Sequence, residues 1–294
     1  MATRSIATVV LSLALSILSC GTPREIPEEA TGIVTMAPHL TETVFALGQG
    51  HRVVGVSSYC DYPPEIETLP KLGAYLNPDV ERLSLLRPEL LIVAGKHEKL
   101  SNFARMRKIP LLNVHMDSIE TINTGIATIA RALDCVEAGE RLRAKVRDEL
   151  NGVRASVASF HRPTVFIVNS RQDHDLHTLF SSGGGSFLSE LVEIAGGENI
   201  FADTSETYFE ASKESVVVGA PEVILEFHSG DGISEDEVAR YIADWQAMSS
   251  LPAVKNQRIY LFTDSIGTRP GPRVASTARM IAALLHPETK RQEP

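Results

Sequence analysis

Basic residues are the first shortage. The chain carries 28 Lys and Arg against 37 Asp and Glu, a formal net charge of -9. Nucleic-acid binding depends on cations that neutralise phosphates, so the balance argues against that partner class. Long apolar runs are missing too. The longest, residues 6–18, has only Ser and Thr interspersed and falls short of the roughly 20 residues a helix needs to span a bilayer. Tryptophan occurs once, at Trp245, in the middle of a helical pattern that makes it a core residue. Enzyme motifs are also scarce. Gly183-Gly184-Gly185-Ser186 precedes a helix whose N-terminus suits an anion. The Lys and Ser or Thr of a phosphate loop do not follow it, and no Gly-x-Ser-x-Gly occurs. The sequence therefore argues against an enzyme.

What is present begins with Arg4 and the apolar residues 6–18, the pattern of a secretory signal over residues 1–19. It ends in Ile17-Leu18-Ser19-Cys20-Gly21, which resembles the lipobox of bacterial lipoproteins. That resemblance implies lipid attachment at Cys20, with the Pro- and Glu-rich residues 20–31 as a flexible tether. The expected location is extracytoplasmic, anchored to a bacterial membrane by lipid only. Of the three cysteines, Cys60 and Cys135 remain, and sequence leaves open whether they pair.

The folded part, with 43% hydrophobic and 22% charged residues, is globular. Its centre is residues 135–160, where Cys135, Ala138, Leu142, Val146, Leu150, Val153, Val157 and Phe160 recur at steps of three or four. That period predicts one long helix with a single buried face and a charged opposite face. On either side, strands alternate with helices. The expected fold class is α/β: an N-terminal lobe over residues 32–134, the connecting helix 135–160, and a C-terminal lobe over residues 161–294, both lobes Rossmann-like.

In the first half, β-prone runs at residues 33–36, 53–56, 90–93 and 110–114 separate helices at 41–47, 77–86, 96–107 and 118–133, with Thr41 as a helix cap and Pro78 at a first helical position. In the second, strands at 164–168, 223–227 and 258–263 alternate with helices, and residues 169–177 form a polar loop. Parallel sheets of this kind bind ligands beyond the carboxyl ends of their strands. His39, the loop carrying Tyr59, Asp61 and Tyr62, the pair Lys96 and His97, and residues 115–117 then share one rim. Arg171, Asp264 and Arg269 follow strands on the facing rim, where guanidinium groups suit carboxylate or phosphate.

Taken in order, the segments Ala37-Pro38-His39-Leu40-Thr41-Glu42, Cys60-Asp61-Tyr62-Pro63-Pro64-Glu65, Leu69-Pro70-Lys71-Leu72-Gly73, Ala195-Gly196-Gly197-Glu198-Asn199 and Arg269-Pro270-Gly271-Pro272-Arg273 resemble the substrate-binding proteins of bacterial ABC importers for cobalamin, iron-siderophores and haem. The loop of residues 59–64 is most like the cobalamin-binding members. The resemblance implies two lobes bridged by one helix, with a bulky ligand held between them and Tyr75 and Tyr208 against it; with the residues placed at the strand ends, the expected contacts are Pro38, His39, Tyr59, Asp61, Tyr62, Tyr75, His97, Arg171, Tyr208, Asp264 and Arg269. Tyr75 and Tyr208 stand where cobalamin binders often carry Trp. It further implies docking of Glu81 and Glu214, one per lobe, on a permease dimer served by ATPase subunits. The expected protein is a monomer without a cofactor that captures a corrinoid, with a ferric siderophore or haem as the alternative. Nine histidines raise zinc or manganese, but His174 and His177 fall in a polar loop and are expected to be solvated.

Overall fold

The computed structural model describes residues 32–228 and 233–287; the signal and tether segments, with Cys20, lie outside them. The first lobe runs β1 (Ile33–Thr35), α1 (Pro38–Ala46), β2 (Val53–Val56), α2 (Val80–Leu86), β3 (Leu90–Val93), α3 (Glu98–Arg107), β4 (Leu111–Asn113) and α4 (Ile119–Ala132). Its four strands are all parallel, in the order β2-β1-β3-β4. The connecting helix α5 (Val136–Val157) follows. The second lobe runs β5 (Thr164–Arg171), β6 (Leu179–Ser182), α6 (Phe187–Ile194), β7 (Glu198–Asn199), β8 (Tyr208–Ala211), α7 (Lys213–Gly219), β9 (Val223–Phe227), α8 (Glu235–Asp244), α9 (Pro252–Lys255), β10 (Ile259–Phe262) and α10 (Val274–Leu285). Its sheet has the order β10-β9-β5-β6-β8, with β7 beside β5.

Four sequence expectations change here. β5 does not stop at Val168 but continues through Arg171, because Val168 to Arg171 pair antiparallel with β6. β6 in turn pairs antiparallel with β8, so this sheet is mixed. Thr41 does not cap α1. The helix starts three residues earlier at Pro38, and the buried Thr41 hydroxyl lies 2.6 Å from that of Thr35. Pro78 precedes α2, whose cap is Asp79, accepting from the Arg82 amide at 2.9 Å. Ser118 caps α4 in a reciprocal pair with Thr121, which satisfies amide groups that the first helical turn leaves free.

Alternation along the strands sorts side chains into layers. On β5, Val165 and Ile167 face one core while Phe166 and Val168 join Trp245, Met248 and Leu251 in another. On β1, Ile33 and Val34 divide in the same way. The buried face of α5, with Leu142, Val146, Leu150, Val153 and Val157, belongs to a core that also holds Ile33 and Ile92 from the first lobe and Phe187 and Val274 from the second. The helix is thus the spine of a continuous apolar layer and not a bare rod between lobes. No helix among the described residues is long and apolar enough to cross a membrane.

Candidate functional site

The carboxyl end of β1 turns directly into α1, because Pro38 suits a first helical position where no amide donor is needed. This sets His39 at the edge of the sheet. The adjoining loop is held by the Ser57 amide on the Thr35 carbonyl (3.0 Å) and the Cys60 amide on the Ser57 carbonyl (3.0 Å), which leaves Tyr59 63% exposed. From the second lobe, β10 ends in a 3-10 turn, Ser265–Thr268, capped by the Asp264 carboxylate on the Ile266 amide at 2.9 Å. Between them lies a cavity of about 710 Å³ lined by Pro38, His39, Ser58, Tyr59, Cys60, Asp61, Thr263, Ser265, Thr268 and Arg269.

Charged groups bridge the two lobes at this wall. Arg269 Nη2 donates to Asp61 Oδ2 at 2.6 Å and to the Tyr59 carbonyl at 3.2 Å, and Arg269 Nη1 also bonds the Asp61 carboxylate. Ser265 Oγ adds a bond to Asp61 Oδ2 at 2.9 Å. Burial by itself raises the Asp61 carboxyl, but the bonds from Arg269 and Ser265 outweigh it and hold the group below its ordinary value. His39 is pushed down to about 4 by burial and then by the Arg269 charge, so its imidazole is neutral at neutral pH.

At the other end of the lobe junction the contacts are single hydrogen bonds. The Phe187 amide meets the Asp117 carbonyl at 2.8 Å, and the Ile119 amide meets Glu190 Oε2 at 2.5 Å. Tyr208, at the start of β8, is half exposed. Partial desolvation and the charge of Asp117 from the facing lobe push its hydroxyl up to about 12. Tyr75 and His97 form a pair within the first lobe, ring centroids 4.2 Å apart, with the Tyr75 hydroxyl on the Lys96 carbonyl at 3.2 Å. Burial lowers the His97 pKa and leaves its Nε2 without a partner.

Of the expected contacts, Tyr75, His97, Tyr208 and Asp264 do not line this cavity, and two more, Arg171 and Tyr62, are turned into other surroundings. Arg171 does not reach the rim, because its side chain has no exposed surface. Its Nε donates to Glu226 Oε1 at 2.7 Å, Nη1 to Asp244 Oδ2 at 3.0 Å and Nη2 to the Tyr241 carbonyl at 2.9 Å. A buried guanidinium must be paired, and the three extra residues of β5 carry it into that interior network. Tyr62 turns away from the cavity, and its ring lies 3.8 Å from the Arg273 guanidinium on the flank of α5. His174 meets Asp244 at 3.2 Å and stacks on Tyr241. Among the described residues no group of three or more His, Cys, Asp or Glu is arranged to hold a metal ion, and Cys60 and Cys135 are free thiols. A further cavity of about 500 Å³ lies between α4, α5 and α6, where Glu and Arg side chains surround an apolar floor that includes Ile126, Val146, Leu150 and Ile194.

Sequence reasoning missed Ser58, Cys60, Thr263, Ser265 and Thr268 as lining residues, and Glu42 and Arg273 as partners behind the wall. Ser265 and Thr268 carry no motif of their own; only their place after a strand marks them.

The family described as periplasmic binding protein matches residues 33–265. The chain belongs to that family. As a periplasmic binding protein it resembles the vitamin B12-binding protein of Vibrio parahaemolyticus, 29% identical over 252 residues that cover 84% of this chain and 86% of the relative. The Vibrio cholerae vitamin B12-binding protein is 28% identical, covering 88% and 90%. Among solved structures, the periplasmic vitamin B12 binding protein of Vibrio cholerae superposes with a TM-score of 0.70 at 26% identity, covering 90% of this chain and 98% of the other. The apo periplasmic heme-binding protein of Roseiflexus superposes at 0.73 and 25% identity, covering 89% and 100%. The fold is accordingly the two-lobed α/β plan of this family, and the chain is a binding protein, not an enzyme.

Proposed function

We propose that this periplasmic binding protein captures a corrinoid in the cavity between its lobes, outside the cytoplasm, and hands it to the permease dimer of an ABC importer driven by separate ATPase subunits. The observation that carries the reading is the similarity to vitamin B12-binding proteins along most of the chain. The cavity supports it: Tyr59 offers a flat exposed ring beside a hydroxyl, which suits a planar macrocycle with polar side groups. Pro38, His39, Asp61 and Arg269 complete the near wall, while Tyr75, His97, Tyr208 and Asp264, outside that lining, are assigned to the wider cleft between the lobes. Arg171 and Tyr62 are left out of the contact set.

Glu81 and Glu214 are exposed in the first turns of α2 and α7, one on each lobe. We assign them to permease docking, since carboxylate to guanidinium bonds fix register as well as affinity. Reversing both charges is expected to abolish uptake in cells while ligand affinity stays unchanged; lost affinity would remove the assignment. Cys20 is assigned as the lipid attachment point, and Cys20→Ala is expected to release the protein from membranes.

One observation favours haem as a second reading. His39 is neutral at neutral pH, so a ring lone pair is available to a metal centre. Titration of the lipid-free protein with cyanocobalamin, haemin and a ferric hydroxamate, read by calorimetry, decides between them. Cyanocobalamin is expected to bind tightest. Tight haemin binding with a shifted absorption band that His39→Ala removes, and no heat from cyanocobalamin, would replace the corrinoid reading.

A further inference from the structure

We propose that Glu42 is a cross-lobe positioning residue, one that holds Arg269 in place for the ligand without touching the ligand itself. The inference rests on the cavity being the ligand site.

Glu42 sits within α1 and is only 2% exposed. A carboxylate so buried is tolerated only when paired and hydrogen-bonded. Its partners come from the other lobe. Arg273 meets it in a two-pronged contact, Nε to Oε2 at 2.8 Å and Nη2 to Oε1 at 2.6 Å. Arg269 Nη1 reaches the same Oε1 at 3.3 Å. Arg269 is thus gripped by two first-lobe carboxylates of different character. Asp61 approaches from the cavity side and is 42% exposed in its side chain, whereas Glu42 approaches from behind and is sealed. Glu42 does not line the cavity that Arg269 lines.

Residues 269–273 also press on the first turn of α1, for a Cβ on Gly271 would stand 3.2 Å from the Cβ of His39. His39 and Glu42 are three apart, on adjacent positions of one helical face. One helix therefore presents the cavity-lining imidazole and the carboxylate that orients the facing arginine. A guanidinium fixed beforehand binds its ligand with less ordering loss than a free one.

The test uses the full chain and the isosteric variant Glu42→Gln. Cyanocobalamin affinity is expected to fall about tenfold while the variant stays folded by circular dichroism. In an Arg269→Gln background the same substitution is expected to change affinity by less than about twofold, because its route of action is gone. Equal losses in both backgrounds, or full affinity in Glu42→Gln, would overturn the proposal. If Glu42→Gln does not fold, Arg273→Gln serves in its place. It keeps the contact between Glu42 and Arg269 and is expected to retain affinity within about threefold; a loss as large as that of Arg269→Gln overturns the route through Arg269.

A ligand-free measurement separates this proposal from the corrinoid reading. Amide hydrogen exchange over residues 265–271 is expected to speed up in whichever variant removes the contact between Glu42 and Arg269, and unchanged exchange counts against positioning even where neither cyanocobalamin nor haemin binds.

Discussion

Glu226 shows what a single buried charge demands. It has no exposed surface, yet Arg171 Nε, Trp245 Nε1 and His228 Nε2 lie 2.7, 2.8 and 2.6 Å from its oxygens. Removing the carboxylate takes away the fully buried counter-charge of Arg171 and leaves it only Asp244, which is partly exposed. Glu226→Ala is therefore expected to destabilise the protein by about 3–5 kcal/mol in urea denaturation, with ligand affinity of the folded fraction unchanged. Asp61 behaves differently because it is partly solvated. Its pKa is held down in the folded state, so its contribution is present above the ordinary carboxylate value of 3.8 and is lost as the pH falls through the depressed value. Asp61→Asn is expected to melt at a lower temperature than the parent at neutral pH, and the gap should close only in strong acid. A gap that stays constant from neutral to acid would show that the ion pair with Arg269 contributes nothing.

At the scale of elements, α5 carries two glycines with opposite roles. A Cβ on Gly139 would stand 2.5 Å from the Cβ of Ala130, where α4 crosses closely, whereas one on Gly152 would meet nothing within 4 Å. Gly139→Val is expected to cost about 1–3 kcal/mol by overpacking. Gly152→Ala should instead stabilise by about 0.5–1 kcal/mol through helix propensity, both read from thermal unfolding. On α6, burial raises the Glu190 pKa, and Glu193 and Glu120 add to the rise against the bond from the Ile119 amide. A raised carboxyl favours the folded state when protonated, and that advantage is lost as the pH rises through its folded value. Glu190→Gln keeps an acceptor for Ile119 and removes the repulsion, so it is expected to be more stable than the parent at neutral pH by about 0.2–0.5 kcal/mol and to match it in acid.

For the whole molecule, the shared core along α5 joins both sheets to one helix face. Lobes coupled in this way are expected to unfold in one calorimetric transition; two separated peaks would mean that each lobe holds its own stability. The same coupling restricts hinge motion, as does the bonding of Glu42 and Asp61 to Arg269 and Arg273 at one end of the junction. Small-angle scattering profiles are expected to change little on ligand addition. A large contraction would require this bonding to break.

Much was set by local chemistry and could be read along the chain. The period of α5, the alternation of strands and helices, and the placing of Pro38 and His39 after β1 follow from side-chain spacing and backbone preference, which act over a few residues. Trp245 read as core and is fully buried. Other features depend on residues far apart in sequence. Arg171 looked like a rim residue because its strand extends only when β6 pairs with it, and Tyr62 faced the ligand on paper until Arg273 drew its ring aside. Glu42 is an ordinary helix acid by its neighbours in sequence. Only the tertiary structure, by bringing a segment 227 positions away against it, turned it into the centre of a cross-lobe bond, because burial and charge pairing are properties of packed surfaces and not of any short stretch of chain.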